Sequence, residues 1–422
     1  MNVELINTGS ELMLGRVLNT HQQWLCRRLA DHGYRVARQT AVSDTGGDIQ
    51  EAVREGLSRA DLVITTGGLG PTSDDLTRDR IAQMLGRGLR EDAGLLAHIQ
   101  AFFTRRNRLM PDRVRVQALV PDGALVLSNP NGTAPGLAIE VKPNAFRADQ
   151  RESWLIMLPG PPRELQPMFT NAVLPLLHRM LPPESEYVCR TLRTAGMAES
   201  LVEERVDGPL KSLVESGLDL GYCARVGQVD VRLAARGVKA VQVVTDAESI
   251  VRQLLGNRIY GGDEDELETV VVRLLTKRRK TLAVAESCTG GHLANRVTNI
   301  SGASVVFLCG LVTYSNEAKQ KLLGVRADTL AQHGAVSEPV AREMAEGVRR
   351  QSGADFALST TGIAGPGGGT VEKPVGTVFI GFAGPNGTVV EKQLNAFERL
   401  TFKQLTADQA LNKLRLALLQ TT

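Results

Sequence analysis

A serine that could act as a nucleophile stands at position 287, in the run AESCTGG (285–291). The apolar residues 281–285 before it read as a buried strand, and a helical pattern begins near His292. A strand, a small-residue turn and a helix start would present Ser287 beside backbone N–H groups that favour an anion. The same placement suits a plain N-cap, the commoner role of serine there. A serine nucleophile also needs a base. The last third of the chain holds two histidines, His292 and His333, neither in a turn of nucleophile character. Lysine can serve if burial lowers its pKa. Lys319 follows the apolar, strand-like residues 308–314 at a second turn of the same type. Tyr314 beside it could relay a proton or orient the lysine, although an exposed lysine is the commoner case. Residues 355–361 read as a third strand that ends in Thr360 and Thr361, and five glycines follow between Gly362 and Gly369. Glycines at that density allow close approach and offer backbone donors to an oxyanion or a phosphate.

A different chemistry is suggested in the first third, by GGLGPTSDDLT (67–77). Gly67, Gly68 and Gly70 would let backbone amides approach a phosphate, and the Thr72 hydroxyl adds a donor. Asp74 and Asp75 supply hard oxygen ligands for a divalent cation bridging such phosphates. A Gly-Pro turn with an Asp-capped helix is the plainer alternative.

Both sets of residues need elements to hold them. Residues 3–6, 34–41 and 62–65 read as strands, separated by a helix expected to run from the turn at Gly9 through Asn19 to Ala30 and another over 48–58. Strands alternating with helices indicate βαβ units and a parallel sheet, whose ligands sit at the strands' carboxyl ends. Prolines 167 and 175 read as helix breaks, and Pro182-Pro183 as an exposed turn. Strands over 188–194 and 229–235 with helices over 198–211 and 246–255 describe a small α+β module. The acidic run 261–266 reads as a short flexible connector.

The motifs TGSE (8–11), GGLGPTSDDLT, NPNGTAPG (129–136) and LPGPPRE (158–164), in that order, resemble the molybdopterin-binding (MoaB/MogA-like) N-terminal domain of the CinA family. AESCTGG, VTYSNEAK (312–319), HGAVSE (333–338) and TTGIAGPGGGTVEKPVGTV (360–378) resemble that family's C-terminal, PncC-type nicotinamide mononucleotide deamidase domain. The resemblance implies an α/β fold in three domains with one linker: a MoaB/MogA-like domain over 1–166, a KH-like α+β spacer over 167–258, and, after a linker over 259–268, the deamidase domain over 269–422. It implies hydrolysis of the carboxamide of nicotinamide mononucleotide to nicotinic acid mononucleotide and ammonia, with no metal in that step. Ser287 would attack, Lys319 would be the base and Tyr314 would assist. Thr289, Gly290, Asn316, Thr360, Thr361, Gly362 and Gly365 would surround the substrate, Thr361 at its oxyanion or phosphate. Arg399 and Lys403 would supply positive charge for the phosphate, although Ala396-Phe397-Glu398-Arg399 lacks the family's glycine. In the N-terminal domain the resemblance implies a metal-dependent ADP-ribose pyrophosphatase. Gly67, Gly68, Gly70 and Thr72 would cradle the pyrophosphate, and Asp74, Asp75 and Glu11 would hold a divalent metal ion. The rival readings are a non-catalytic nucleotide- or pterin-binding adaptor linked to competence or DNA damage, and a molybdopterin-handling enzyme.

Composition narrows the setting. The chain of 422 residues is 42% hydrophobic and 23% charged, an ordinary globular balance with room for two or three domains. A net charge of +3 and an aromatic content of 4% give no footing for a nucleic-acid partner. No GxxG loop occurs in the middle module, so a spacer or dimerisation role is expected there rather than RNA binding. The five scattered cysteines suit a reducing compartment, and the start of the chain shows no signal-peptide core. A cytoplasmic homodimer with no membrane span is the expectation.

Overall fold

A computed structural model of the chain describes residues 1–183 and 185–420. They form two compact units, one of Met1–Val188 with Arg236–Val238, the other of Cys189–Ala235 with the residues from Lys239 onward. Both are α/β, and among the described residues no helix is long and apolar enough to cross a membrane.

The first unit is built on a six-stranded sheet in the order Arg35–Val42, Asn2–Thr8, Leu62–Thr66, Ser153–Leu158, Gly136–Val141, Leu125–Leu127. The first four strands are parallel and the last two antiparallel additions. Leu62–Thr66 is buried along its whole length, as a central strand covered on both faces must be. The helix expected to run from the turn at Gly9 to Ala30 is two helices. Ser10–Met13 stops short of Gly15, whose φ of 66° leaves the helical region, and Thr20–Asp31 starts afresh. Asn19 caps the second, accepting from Gln22 N at 3.2 Å. The boundary at 166 also needs correction. Pro167 lies inside helix Pro162–Met168, and the chain continues through a wide turn into helix Leu174–Met180. Phe169, Val173 and Leu177 share one core with Leu5, Ile64 and Ile156, so the domain extends beyond these helices.

The second unit opens with the α+β module, whose four strands lie in the order Asp219–Arg225, Gln228–Arg236, Tyr187–Ala195, Ile259–Gly262. Helices Glu199–Glu215 and Ala240–Leu255 pack together beside it. The edge strand Asp219–Arg225 was not expected, because its residues carry little apolar alternation. The linker expected over 259–268 is not a linker. Its first residues pair antiparallel with Tyr187–Ala195, Asp265 accepts from Gly262 N and Arg273, and Glu266 meets the buried Arg193 guanidinium at 2.6 Å. The acidic run counters a buried cation, which is why it is ordered.

The remainder of this unit is a five-stranded sheet in the order Phe307–Val312, Leu282–Glu286, Phe356–Gly362, Thr377–Gly384, Gly387–Leu394. The first three strands are parallel, so their carboxyl ends lie side by side. The C-terminal helix Arg399–Gln420 contributes Phe402, Leu411 and Leu414 to the core on one face, and helix Glu338–Ser352 contributes Val340, Met344 and Val348 to the core on the other. Gly347 of the latter helix faces the carbonyl of Leu323, the last residue of helix Asn316–Leu323, and a Cβ there would overlap that oxygen. Alanine in a helix is ordinarily about 1 kcal/mol better than glycine. At this crossing the sign reverses: Gly347→Ala should lose about 1–3 kcal/mol in urea unfolding, and neutral or improved stability would show that the contact sets no limit.

Candidate active site

The three parallel strands deliver Ser287, Thr313 and Ile363 to the same edge of the sheet. Ser287 N donates to Thr360 O at 2.9 Å, which fixes the serine turn to the neighbouring strand. After Thr313 the chain enters helix Asn316–Leu323, capped by Ser315, whose hydroxyl accepts from Ala318 N at 3.1 Å. One turn into that helix, Lys319 is 1% exposed. Its Nζ stands 3.1 Å from Ser287 Oγ, 2.9 Å from Thr313 O and 3.4 Å from Tyr314 O.

Every one of these oxygens is neutral. Burial therefore pulls the Lys319 amine below its ordinary 10.5, since the charged form loses water and gains no anion. The Cys288 thiol would oppose this if ionised, but burial pushes it up to about 12. Glu286 is adjacent in sequence and fully buried, yet its carboxylate accepts from Gly291 N, Leu293 N and Ala294 N at 3.0, 3.1 and 2.8 Å. A neutral amine has two N–H donors and one lone pair. Two carbonyls satisfy the donors, and the lone pair is left for the serine hydroxyl.

Glu286 also corrects the sequence reading of the turn. The helix N–H groups expected beside Ser287 are occupied by this carboxylate, so Glu286 and not the serine is the helix's cap. Its signal was an acid six residues before the helix start at His292. The amides of Cys288 and Thr289 accept no such service: among the described residues neither has an acceptor. The Thr313 carbonyl, a backbone group, has no sequence signal at all.

Two expected roles are not supported by the side chains. The Tyr314 ring is exposed, and its hydroxyl meets Arg399 Nη2 at 2.9 Å; only its backbone carbonyl reaches Lys319. Tyr314 is thus a prop for Arg399 and not a proton relay. The Thr361 hydroxyl donates to Ala335 O at 2.7 Å, which commits it away from an oxyanion. Thr289 and Thr360 share a buried hydroxyl–hydroxyl bond of 2.7 Å that fastens the serine turn from beneath. Arg399 Nη1 donates to Gly365 O at 2.9 Å, and Lys403 Nζ lies 3.5 Å from where a Gly290 Cβ would stand. Among the described residues neither cation has a carboxylate partner, so positive charge is gathered at Gly290 and Gly365 although the usual glycine before Arg399 is missing. A Cβ on Gly362 would stand 2.8 Å from Thr377 O, so this glycine serves close packing. Asn316 is exposed on the first turn of its helix.

In the first unit, Gly67, Gly68 and Gly70 line a cavity of about 400 Å³ at the carboxyl end of the parallel strands, together with Glu11, Asp74 and Asp75. Gly67 has φ 98°, and a Cβ on it would stand 2.7 Å from Thr8 O. The amides of Gly68, Leu69 and Gly70 have no acceptor among the described residues. Thr72 does not line the cavity; its N–H and hydroxyl both bind Asp75 Oδ2 and brace the loop. Thr72 also helps hold the Asp74 carboxyl below its usual range. Sequence reasoning missed Asp44 and Glu164, which line the same cavity from distant segments. The metal cage expected from Asp74, Asp75 and Glu11 does not form: among the described residues no three His, Cys, Asp or Glu side chains come close enough to hold an ion. The donors present do not fit a cation held by the protein alone.

Family models match in three stretches. Residues 4–179 match a probable molybdopterin binding domain, 189–261 the damage-inducible protein CinA KH domain, and 264–418 the CinA C-terminal domain. The chain is 44% identical to a CinA-like protein of Akkermansia muciniphila, over 97% of this chain and 96% of that one. It is 43% identical to a putative competence-damage inducible protein of Caldicellulosiruptor bescii, over 98% of each. A CinA-like protein of Gemmatimonas aurantiaca is 41% identical over 99% of this chain and 96% of its own length. With likeness along its full length and the three domains in the same order, the chain belongs to the CinA family.

Proposed function

We propose that the second unit is an amidohydrolase that converts nicotinamide mononucleotide to nicotinic acid mononucleotide and ammonia. The observation that carries this reading is the buried Lys319 Nζ, 3.1 Å from Ser287 Oγ and surrounded by neutral oxygens only. The neutral amine accepts the serine proton as Oγ attacks the carboxamide carbon. The free amides of Cys288 and Thr289 are the donors available to the oxyanion that forms. The Lys319 ammonium then returns its proton to the departing nitrogen, which leaves as ammonia, and an acyl ester remains on Ser287. Water attacks that ester with Lys319 again as base, releasing the carboxylate and restoring the serine hydroxyl. Lys403 beside Gly290 of the serine turn and Arg399 on Gly365 of the glycine-rich stretch bring two charges without a carboxylate partner among the described residues, suited to a phosphate monoester.

A second reading is favoured by the unoccupied loop amides of the first unit. We infer that Gly68, Leu69 and Gly70 bind the pyrophosphate of ADP-ribose, with the loop braced by Asp75, as the pyrophosphatase activity implied by the family resemblance requires. Among the described residues no cage of side chains stands ready to hold the divalent metal which that activity uses.

Ammonia release from nicotinamide mononucleotide should fall by about a thousandfold or more in Ser287→Ala and in Lys319→Met. Equal rates in wild type and both variants would remove the assignment. The wild-type rate should rise with pH through the folded-state pKa of Lys319, below 10.5, because the neutral amine is the active form. Stability should rise over the same window, where the unfolded chain binds the proton more tightly. A rate that falls across this range would contradict a lysine base. For the first unit, Asp75→Asn should lower AMP release from ADP-ribose by about tenfold or more, whereas unchanged release would leave the cavity without that role.

A further inference from the structure

The second unit contains another cavity, of about 700 Å³, between the α+β module and the C-terminal helix Arg399–Gln420. That volume lies within the range of small-molecule sites. It belongs neither to the serine turn nor to the glycine loop of the first unit.

Its wall includes Asp408, 3% exposed. One carboxylate oxygen, Oδ1, accepts from Gln228 Nε2 at 2.9 Å and from Arg296 Nη1 at 2.7 Å. The other, Oδ2, is buried and has no hydrogen-bond partner among the described residues. A buried acceptor without a donor is destabilising because its lost hydration is not replaced, and burial raises the Asp408 carboxyl above its usual range despite Arg296 beside it. The geometry around this oxygen is kept open by glycine. Gly196 N bonds Gly227 O at 3.2 Å, and a Cβ on Gly227 would stand 2.7 Å from Leu405 Cδ1 and 3.7 Å from Asp408 Oδ2.

Charge of the opposite sign lines the same cavity. Arg258 Nη1 donates to Gly196 O at 3.0 Å, and the guanidinium has no carboxylate partner among the described residues. Asn412 uses its Oδ1 for Arg415, while its Nδ2 lies 3.4 Å from where a Gly196 Cβ would stand. Phe382, Leu405 and Leu416 supply apolar wall. The cavity thus offers a site for an anion and an apolar surface, and its wall holds a buried acceptor that lacks a donor among the described residues.

We propose that this cavity binds an amino-bearing nucleoside monophosphate, its phosphate on Arg258 and the Asn412 amide and its exocyclic amine donating to Asp408 Oδ2. The base and ribose lie against the apolar wall. Oδ2 is shielded from water, so the ligand reaches it by displacing the Leu405 side chain packed nearby. This gives the α+β module a ligand-binding wall in place of the RNA-clamping loop it lacks.

The test is photolabelling of the full chain with 8-azido-AMP, the modified peptides being located by mass spectrometry. Label is expected in residues 196–198 or 405–420, and should fall at least about tenfold in Arg258→Ala, an exposed position whose loss leaves the fold intact. Val389→Trp, at another exposed lining residue, should block labelling by filling the cavity. AMP should protect at about tenfold lower concentration than purine riboside 5′-monophosphate, which lacks the amine; a factor of ten corresponds to about 1.4 kcal/mol. Absence of label from both segments, labelling that neither variant reduces, or equal protection by the two nucleotides would overturn the proposal.

Discussion

The candidate chemistry of the second unit depends on one constraint: an amine buried among oxygens that carry no charge. Lys319 has a hydroxyl and two carbonyls within reach and, among the described residues, no carboxylate partner. An ion pair here would hold the proton on nitrogen and abolish the base. Desolvation without a counter-charge does the opposite. The fold maintains that balance by engaging the acid next to Ser287 elsewhere, since Glu286 is held by three amides at the start of the following helix.

The sheet explains how the constraint is met. Parallel strands end together, so a serine after one and a lysine one helical turn beyond the next reach the same point. The position of the lysine helix is set from behind by Gly347, where only a glycine lets the two helices approach. A shared hydroxyl bond between Thr289 and Thr360 and the Ser287 N–Thr360 O bond fasten the serine turn. Precision at the site therefore comes from packing and backbone bonds across three strands, with little help from surface ion pairs, which contribute little in water.

Much of this was legible in the sequence. The strand before Ser287 sits within a residue of its expected bounds and the helix after it starts at His292 as expected, because continuous apolar runs and small-residue turns are strong local signals. The pairing of Ser287 with Lys319 was anticipated chiefly through the family resemblance, two turns of one type only allowing it. What failed was information carried by partners far along the chain. The run 261–266 looked flexible because its acids are solvated in isolation; Arg193, some seventy positions away, orders it. Tyr314 looked like a relay because it is near Lys319 in sequence, whereas its ring meets Arg399, 85 residues on. Glu11, Asp74 and Asp75, expected around a metal, line one cavity, but among the described residues they do not come together as a ligand group. Spacing reports adjacency along an element and says nothing about which way a side chain turns once the chain leaves it.

The protonation of Lys319 is the quantity on which the mechanism stands, and it can be read without substrate. A heteronuclear NMR titration of chain labelled at lysine Cε and Nζ, with Lys319→Met used to assign the resonance, follows that amine directly. A midpoint clearly below 10.5 is the expected result. A midpoint at or above 10.5 would mean that an anion reaches the buried nitrogen, and would contradict the account of a neutral lysine acting on Ser287.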